Sequence, residues 1–524
     1  MLIMQRLPMH PTKRFASSFG MLAGISRLAL GVFLGLSSSC ALDDGSATDP
    51  SISDSDGTAG DDGGDVSSER VCNKGRIQCH AHIRTFGAER ARSPRAVSAA
   101  ALPAGFGPAD LQSAYGIDPN KLATTTPPLV AITDAFGYAN LELDLGVYRQ
   151  TYGLPPCTTA NGCLKIVNQQ GQTTNLPPLP PDNDDWTVET ALDVDMVSAA
   201  CPRCRILVVQ AVDDQSNGLD ISQNTAATLG ATVISDSWGS VEQPGQTAAQ
   251  ALAQSDLTFY KHTGLAIFVA SGDAGYDETV APAGGPTGPG YPATSQYTIA
   301  VGATRLVKAA GTTRGWTETA WAETVTQGKV DVTRGAGGSA CSLSVPKPAY
   351  QSASPCTFKA TADIAAVGDP ATGVAVYDTS GTNKGWVIVG GTSAASPFVA
   401  AIFAATGNGN QTSGKFIADN VTRMFDVTSG TNGTCPTGQG LLCSAAAGWD
   451  GPTGFGTPNV KLLMPATATG PGTGGGGGSG GGSASNGSGS GSDSSSDITS
   501  GCSAGGGAGL WLGVALLGLR RRRR

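Results

Sequence analysis

Val387-Ile-Val-Gly-Gly-Thr-Ser-Ala-Ala-Ser-Pro-Phe-Val-Ala-Ala-Ile-Phe-Ala-Ala405 sets the frame for the whole chain. Val387–Val389 reads as a strand, Gly390 and Gly391 as a turn, and Ser393–Ala405 as an apolar helix. Ser393 therefore stands where free backbone N–H groups and the helix dipole favour negative charge. That setting suits a nucleophile whose attack creates an oxyanion. The plainer alternative is a serine that only caps a helix.

Outward from this stretch, apolar runs alternate with helical ones. Strands are expected at Leu129–Thr133, Arg205–Gln210, Thr232–Ser235, Leu265–Ala270 and Thr298–Val301. Helices are expected at Asn140–Thr151, Trp186–Ala200, Ile221–Leu229 and Thr247–Thr263. The pattern implies an α/β fold, a mostly parallel sheet with helices on both faces, whose site lies at the carboxyl ends of the strands.

The domain outline follows from composition. Residues 1–40 read as an export signal: Arg6, Lys13, Arg14 and Arg27 precede the apolar run Leu28–Leu36. Leu36-Ser-Ser-Ser-Cys40 is close to a lipoprotein signal, with the leucine one place too far from the cysteine. Residues 41–101 read as a disordered leader that ends in a short pro-segment over 71–101. The catalytic domain spans 102–465, a Gly/Ser linker 466–501, and an anchor or sorting segment 502–524. That last segment places Cys502 before an apolar run and Arg520 to Arg524, so it would meet a membrane before any processing. With a net charge of −8 and no basic stripe in the body, nucleic acid is excluded as a partner.

Ten of the twelve cysteines fall into close pairs: Cys72/Cys79, Cys157/Cys163, Cys201/Cys204, Cys341/Cys356 and Cys435/Cys443. Close pairing points to short-loop disulfides in an oxidising compartment, although Cys201-Pro-Arg-Cys204 also has the form of a redox or zinc motif.

A nucleophilic serine needs a base. Asp134 sits where a Ser-His-Asp enzyme of subtilisin type carries its aspartate, but none of His10, His80, His82 and His262 is followed by glycine as that arrangement requires. Carboxylates offer another route. Glu189 and Asp193 lie four apart on one helix, expected to be capped by Asp184 or Asp185. Two such neighbours can share a proton, one acting as base and the other orienting it. Asp273, between glycines after an apolar strand, can stay protonated and donate to an oxyanion. On that logic, Asp273→Asn is expected to fold and to be nearly inactive.

Five ordered motifs resemble the sedolisin family of serine-carboxyl peptidases over roughly residues 107–458. They are Glu189-x-x-x-Asp193, Ser235-Asp-Ser-Trp238-Gly, Ser271-Gly-Asp273-x-Gly, Gly391-Thr-Ser393-Ala, and a loop with Asp426-Val427 and Ala446-Ala447-Gly448-Trp449-Asp450. The resemblance implies a subtilisin-like fold and peptide-bond hydrolysis at acidic pH. Ser393 would be the nucleophile, Glu189 the base, Asp193 its orienting partner, and Asp273 an oxyanion donor beside the Ser393 N–H. Trp238 would lie in the substrate cleft; its alternative is a core aromatic. One structural Ca²⁺ would be held by the Asp426 and Asp450 side chains and the carbonyls of Val427, Ala446 and Gly448. The C-terminal tail resembles MYXO-CTERM-like sorting tails, which implies display at, or release from, the cell surface. Asp236 departs from the family pattern and would favour basic substrates or alter local electrostatics. Two further readings remain: an inactive surface-anchored binding protein on this fold, and a subtilisin-type protease using Asp134.

Overall fold

The computed structural model describes residues 66–72, 75–86, 102–182, 184–276, 289–327, 330–382 and 384–465. The export signal, the linker, the C-terminal segment, Cys40 and Cys502 lie outside the described residues.

Eight strands build the central sheet: β1 (Leu129–Ala135), β2 (Leu164–Asn168), β3 (Arg205–Ala211), β4 (Val233–Asp236), β5 (Ala266–Ala270), β6 (Ile299–Lys308), β7 (Trp316–Ala320) and β8 (Ile364–Val367). Their order is β7-β6-β5-β4-β1-β3-β2, with β8 beside β6. Every pairing is parallel except β6 with β7. β1, β4 and β5 are buried along their whole length, as near-continuous apolar runs require when both faces are covered.

Five helices follow the expected periodicity: α1 (Leu141–Thr151), α2 (Trp186–Ala200), α3 (Gly218–Thr228), α4 (Gln246–Ser255) and α5 (Thr392–Ala405). α2 and α5 are buried at every position and pack against each other, so both run through the core. The helix expected to reach Thr263 gives way at Asp256–Tyr260 to a wider π-type turn. Asp185 occupies the N-cap position of α2, but its carboxylate accepts from the Thr382 N–H and hydroxyl rather than from the helix. The strand expected at Val387–Val389 runs Gly385–Gly390 and belongs to a smaller antiparallel sheet with Val374–Asp378.

The leader departs from expectation. Val66–Arg70, placed in the disordered stretch, pairs antiparallel with His82–Phe86, and that strand in turn pairs with Gly385–Gly390. Strand addition to a free sheet edge satisfies backbone groups that composition alone leaves unaccounted for. All five cysteine pairs form disulfides, which removes the metal reading of Cys201 and Cys204.

Candidate active site

The carboxyl ends of β1, β4 and β5 converge on the N-terminus of α5. Gly391 has φ +100°, and a Cβ there would lie 2.1 Å from the His80 carbonyl oxygen and 2.7 Å from Asp273 Oδ2. Glycine is thus required for both conformation and space. Ser393 follows in the first turn of α5, fully buried. Four residues on, Pro397 has no N–H to return to the Ser393 carbonyl. The Ser237 hydroxyl lies 3.4 Å from that carbonyl instead.

Glu189 and Asp193 project from α2 into the same region, and both are 0% exposed. Burial raises each well above the usual carboxylate range, and Asp134 at the end of β1 raises both further. Asp134 itself is pushed up by burial to about 7. Asp193 Oδ1 accepts from the Ser237 hydroxyl at 2.7 Å. Neither oxygen of Glu189 or Asp134 accepts a hydrogen bond among the described residues. Carboxyls packed this way hold protons in common rather than three full charges. The Ser393 hydroxyl is close enough to favour the ionised form of Glu189. It nevertheless donates to the Ser237 carbonyl at 3.0 Å.

Asp273 lies in the loop after β5. Its Oδ1 accepts from both the N–H and the hydroxyl of Thr392, each at 2.8 Å. Burial pushes its pKa up to about 7, against the pull of those two donors. Oδ2 is left facing the Gly391 turn, 3.5 Å from His82 Nε2. Below neutrality this oxygen carries a proton, and the side chain is a donor beside the Ser393 N–H.

A peptide carbonyl occupies that point. The Ser393 N–H donates to the His80 carbonyl at 3.0 Å. The His80 N–H reaches the Ser237 carbonyl at 3.0 Å and Ser393 Oγ at 3.1 Å. Gln78–Cys79 runs antiparallel to Trp238–Val241, with Cys79 opposite Trp238. The sulfurs of Cys72 and Cys79 and the Glu189 carboxylate lie within 4.8 Å of one another, so a disulfide covers Glu189; bonded to each other, these sulfurs offer no thiolate to a metal.

Trp238 touches this strand through its backbone. Its indole is buried, with Nε1 donating to the Thr133 carbonyl at 2.7 Å, which is the core-aromatic alternative. Asp236 is also internal: Oδ1 accepts from the Thr133 hydroxyl at 2.6 Å and Gln223 Nε2 at 2.9 Å. It therefore does not face a substrate side chain. Residues missed by sequence reasoning are Ser237 and Thr392, which hold Ser393 and Asp273. Both sit inside motifs already quoted, between better-known neighbours. His80 and His82 were assigned to the leader and yet enter the site. Neither ring bonds to Ser393, so no imidazole stands as its base.

The loop after the catalytic domain's last long helix brings Asp426 and Asp450 together. Asp450 is buried, and burial pushes its pKa to about 7, with Asp426 adding repulsion. Asp450 Oδ2 accepts from the Ala446 N–H and Asp426 Oδ2 from the Gly448 N–H, both at 3.0 Å. Two neighbouring carboxylates supply the oxygen donors a hard cation takes, and Asp450 Oδ1 also accepts from the Thr453 N–H and hydroxyl.

Residues 181–441 match the Subtilase family. Kumamolisin from Bacillus sp. (strain MN-32) is 28% identical over 387 residues, covering 70% of this chain and 64% of kumamolisin. Sedolisin from Pseudomonas sp. (strain 101) is 27% identical, covering 67% of this chain and 61% of sedolisin. The structure of Pseudomonas sedolisin, a serine-carboxyl proteinase in complex with two molecules of pseudo-iodotyrostatin, superimposes with TM-score 0.53 at 25% identity, covering 69% of this chain and 98% of that one. The chain is thus similar to kumamolisin and sedolisin over about two thirds of its length. The chain spans less than two thirds of the length of the two curated relatives. The sedolisin likeness agrees with the subtilisin-like, mainly parallel sheet.

Proposed function

We propose that this protein is an acid-acting, serine-type endopeptidase in which Ser393 attacks a peptide carbonyl and Glu189 takes its proton. The observation that carries the reading is the carbonyl at the Ser393 N–H, faced by Asp273 across the Gly391 turn. A tetrahedral oxyanion there would receive one hydrogen bond from Ser393 and one from protonated Asp273. Glu189 would pass its proton on to the leaving amine. Asp193, fixed by Ser237, would orient Glu189 and share its proton load.

Asp273 sets the alkaline limit of that activity, and the raised value of Glu189 sets its acid limb. Glu189 must lose its proton and Asp273, at about 7, must keep its own, so the rate should fall above neutrality. The Asp426–Asp450 loop would hold one structural Ca²⁺, with the carbonyls of Val427, Ala446 and Gly448; it lies outside the chemistry. The basic-apolar start of the sequence, five disulfides and the apolar, arginine-ended tail support export and display at, or release from, the cell surface.

The test is covalent labelling of Ser393 by a fluorophosphonate or a peptide aldehyde, with and without Glu189→Ala. Labelling that depends on Glu189 is expected. Absence of labelling under every condition would favour an inactive binding protein, and labelling indifferent to Glu189 would favour another base.

A further inference from the structure

The peptide seated at Ser393 belongs to the chain itself, and both of its flanks are held. On the amino side, Gln78–Cys79 pairs with Trp238–Val241, and the Ile77 N–H donates to the Asp214 carbonyl at 3.0 Å. On the carboxyl side, His82–Phe86 pairs with Gly385–Gly390. Val71 ties the two together: its N–H donates to the Ala81 carbonyl at 3.0 Å and its carbonyl accepts from Asp185 at the head of α2. Val71, Cys72, Ile77, Cys79 and Ala81 are all buried.

The His80–Ala81 bond therefore lies where a scissile bond would, with its carbonyl on the oxyanion donor. Ser393 Oγ accepts from the His80 N–H, and its own proton points to the Ser237 carbonyl rather than to Glu189. The Cys72–Cys79 ring sits over Glu189 and fixes the strand one residue before His80. The ring closes entirely on the amino side of the His80–Ala81 bond.

We infer that residues 75–86, with Val71 and Cys72, are an inhibitor in cis, bound as a substrate strand with His80–Ala81 across Ser393 and locked there by the Cys72–Cys79 disulfide. The inference rests on the peptidase reading above for the meaning of the occupied site, and not for the occupancy. Opening the ring frees Cys79 to leave its pairing with Trp238. Proline at position 80 removes the N–H that holds both Ser237 and Ser393. Either change uncovers Glu189 and admits an outside substrate.

The full chain is purified as wild type, as Cys72→Ser/Cys79→Ser and as His80→Pro. Fluorophosphonate labelling of Ser393 and amide hydrogen exchange of residues 78–82 are followed together. Wild type should label slowly and exchange slowly, and each variant should label faster by about tenfold or more, the change in open fraction expected from losing one or two buried hydrogen bonds. Equal, rapid labelling of all three forms, with fast exchange at 78–82, would overturn the inference and leave the peptidase reading standing. Acceleration in His80→Pro alone would overturn the role of the ring. Should no form label, the peptidase reading fails, and exchange alone decides: slow amides that His80→Pro releases uphold the occupied cleft, and fast amides in wild type refute it.

Discussion

The oxyanion acid is the most exacting place to test the chemistry. Thr392 fixes Asp273 Oδ1 through two donors at 2.8 Å, so that oxygen is always the acceptor and Oδ2 always the free position. In Asp273→Asn the amide oxygen takes the Thr392 bonds and the NH₂ group replaces the protonated Oδ2. The sequence-based expectation that this variant is nearly inactive is thereby reversed: the donor is retained and becomes independent of pH. Asp273→Ala loses it, and the rate should fall about 10²–10³-fold, roughly 2.7–4 kcal/mol of transition-state stabilisation. Wild type should lose activity as pH rises through about 7, because Asp273 is protonated below that value and ionised above it. Peptide hydrolysis in the form with an opened Cys72–Cys79 ring, measured from pH 3 to 9, reads all three proteins. Asp273→Asn should keep most of the acid-side rate and lose the alkaline fall. An Asn variant that is as slow as Ala, or that keeps the same alkaline limb, would refute the assignment of Asp273 as donor.

Glu189→Gln should lower hydrolysis by at least about 10²-fold while leaving the fold intact, since general-base removal typically costs 10²–10⁴; a rate near wild type would remove Glu189 from the reaction. Stability should decline as pH rises from about 4 to 7. Asp134, Asp236 and Asp273 all have folded-state values of about 7, above their ordinary range, so the folded chain binds more protons in that window than the unfolded one. Calorimetry showing a Tm that climbs across the same window would contradict this. Calcium should raise Tm more at pH 7.5 than at pH 4, because Asp450 is protonated below about 7. The gain should approach about 2.7 kcal/mol at one hundred times Kd and vanish in Asp450→Asn. In Ser393→Ala, exchange at residues 78–82 should quicken as pH falls from about 6.5 toward 3, after correction for intrinsic rates. Burial, then Arg70, lowers His80 to about 3 and His82 well below its usual value, so both are neutral when seated and take up protons on release. Asp273 beside His82, Glu323 through Ser68, and Glu189 at the disulfide are the facing acids. An exchange rate that is flat over that range would show that the histidines do not govern release.

Much of the site was readable because its parts are local. Glu189 and Asp193 are four apart on one helix, Asp273 directly follows a strand, and Ser393 heads a helix, so spacing alone delivers their orientation. The sheet was readable where strands are buried on both faces and open on apolar runs, as in β1, β4 and β5. β7, buried only at its two ends and with Thr-Glu-Thr in its middle, carries no such signal. β2 carries an exposed Lys165, and β8 is Ile-Ala-Ala-Val, whose alanines favour no strand. The leader strands were out of reach for a different reason. Their stability comes from pairing with Gly385–Gly390 and Trp238–Val241, some hundreds of residues away, and composition there is polar. Asp236 and the Trp238 indole illustrate the same limit: which side of a strand faces the cleft depended on Thr133, a residue on another strand.

Pro397 leaves a gap in the ladder of α5, one turn beyond the reactive serine. An ordinary helix would clamp the Ser393 carbonyl with an amide from below, making the residue as stiff as the rod it begins. Here that carbonyl is left to the Ser237 hydroxyl, the same group that donates to Asp193, so one side chain answers to both the serine backbone and the carboxyl pair. Alanine at position 397 would supply the missing amide and leave the Ser237 hydroxyl to Asp193 alone.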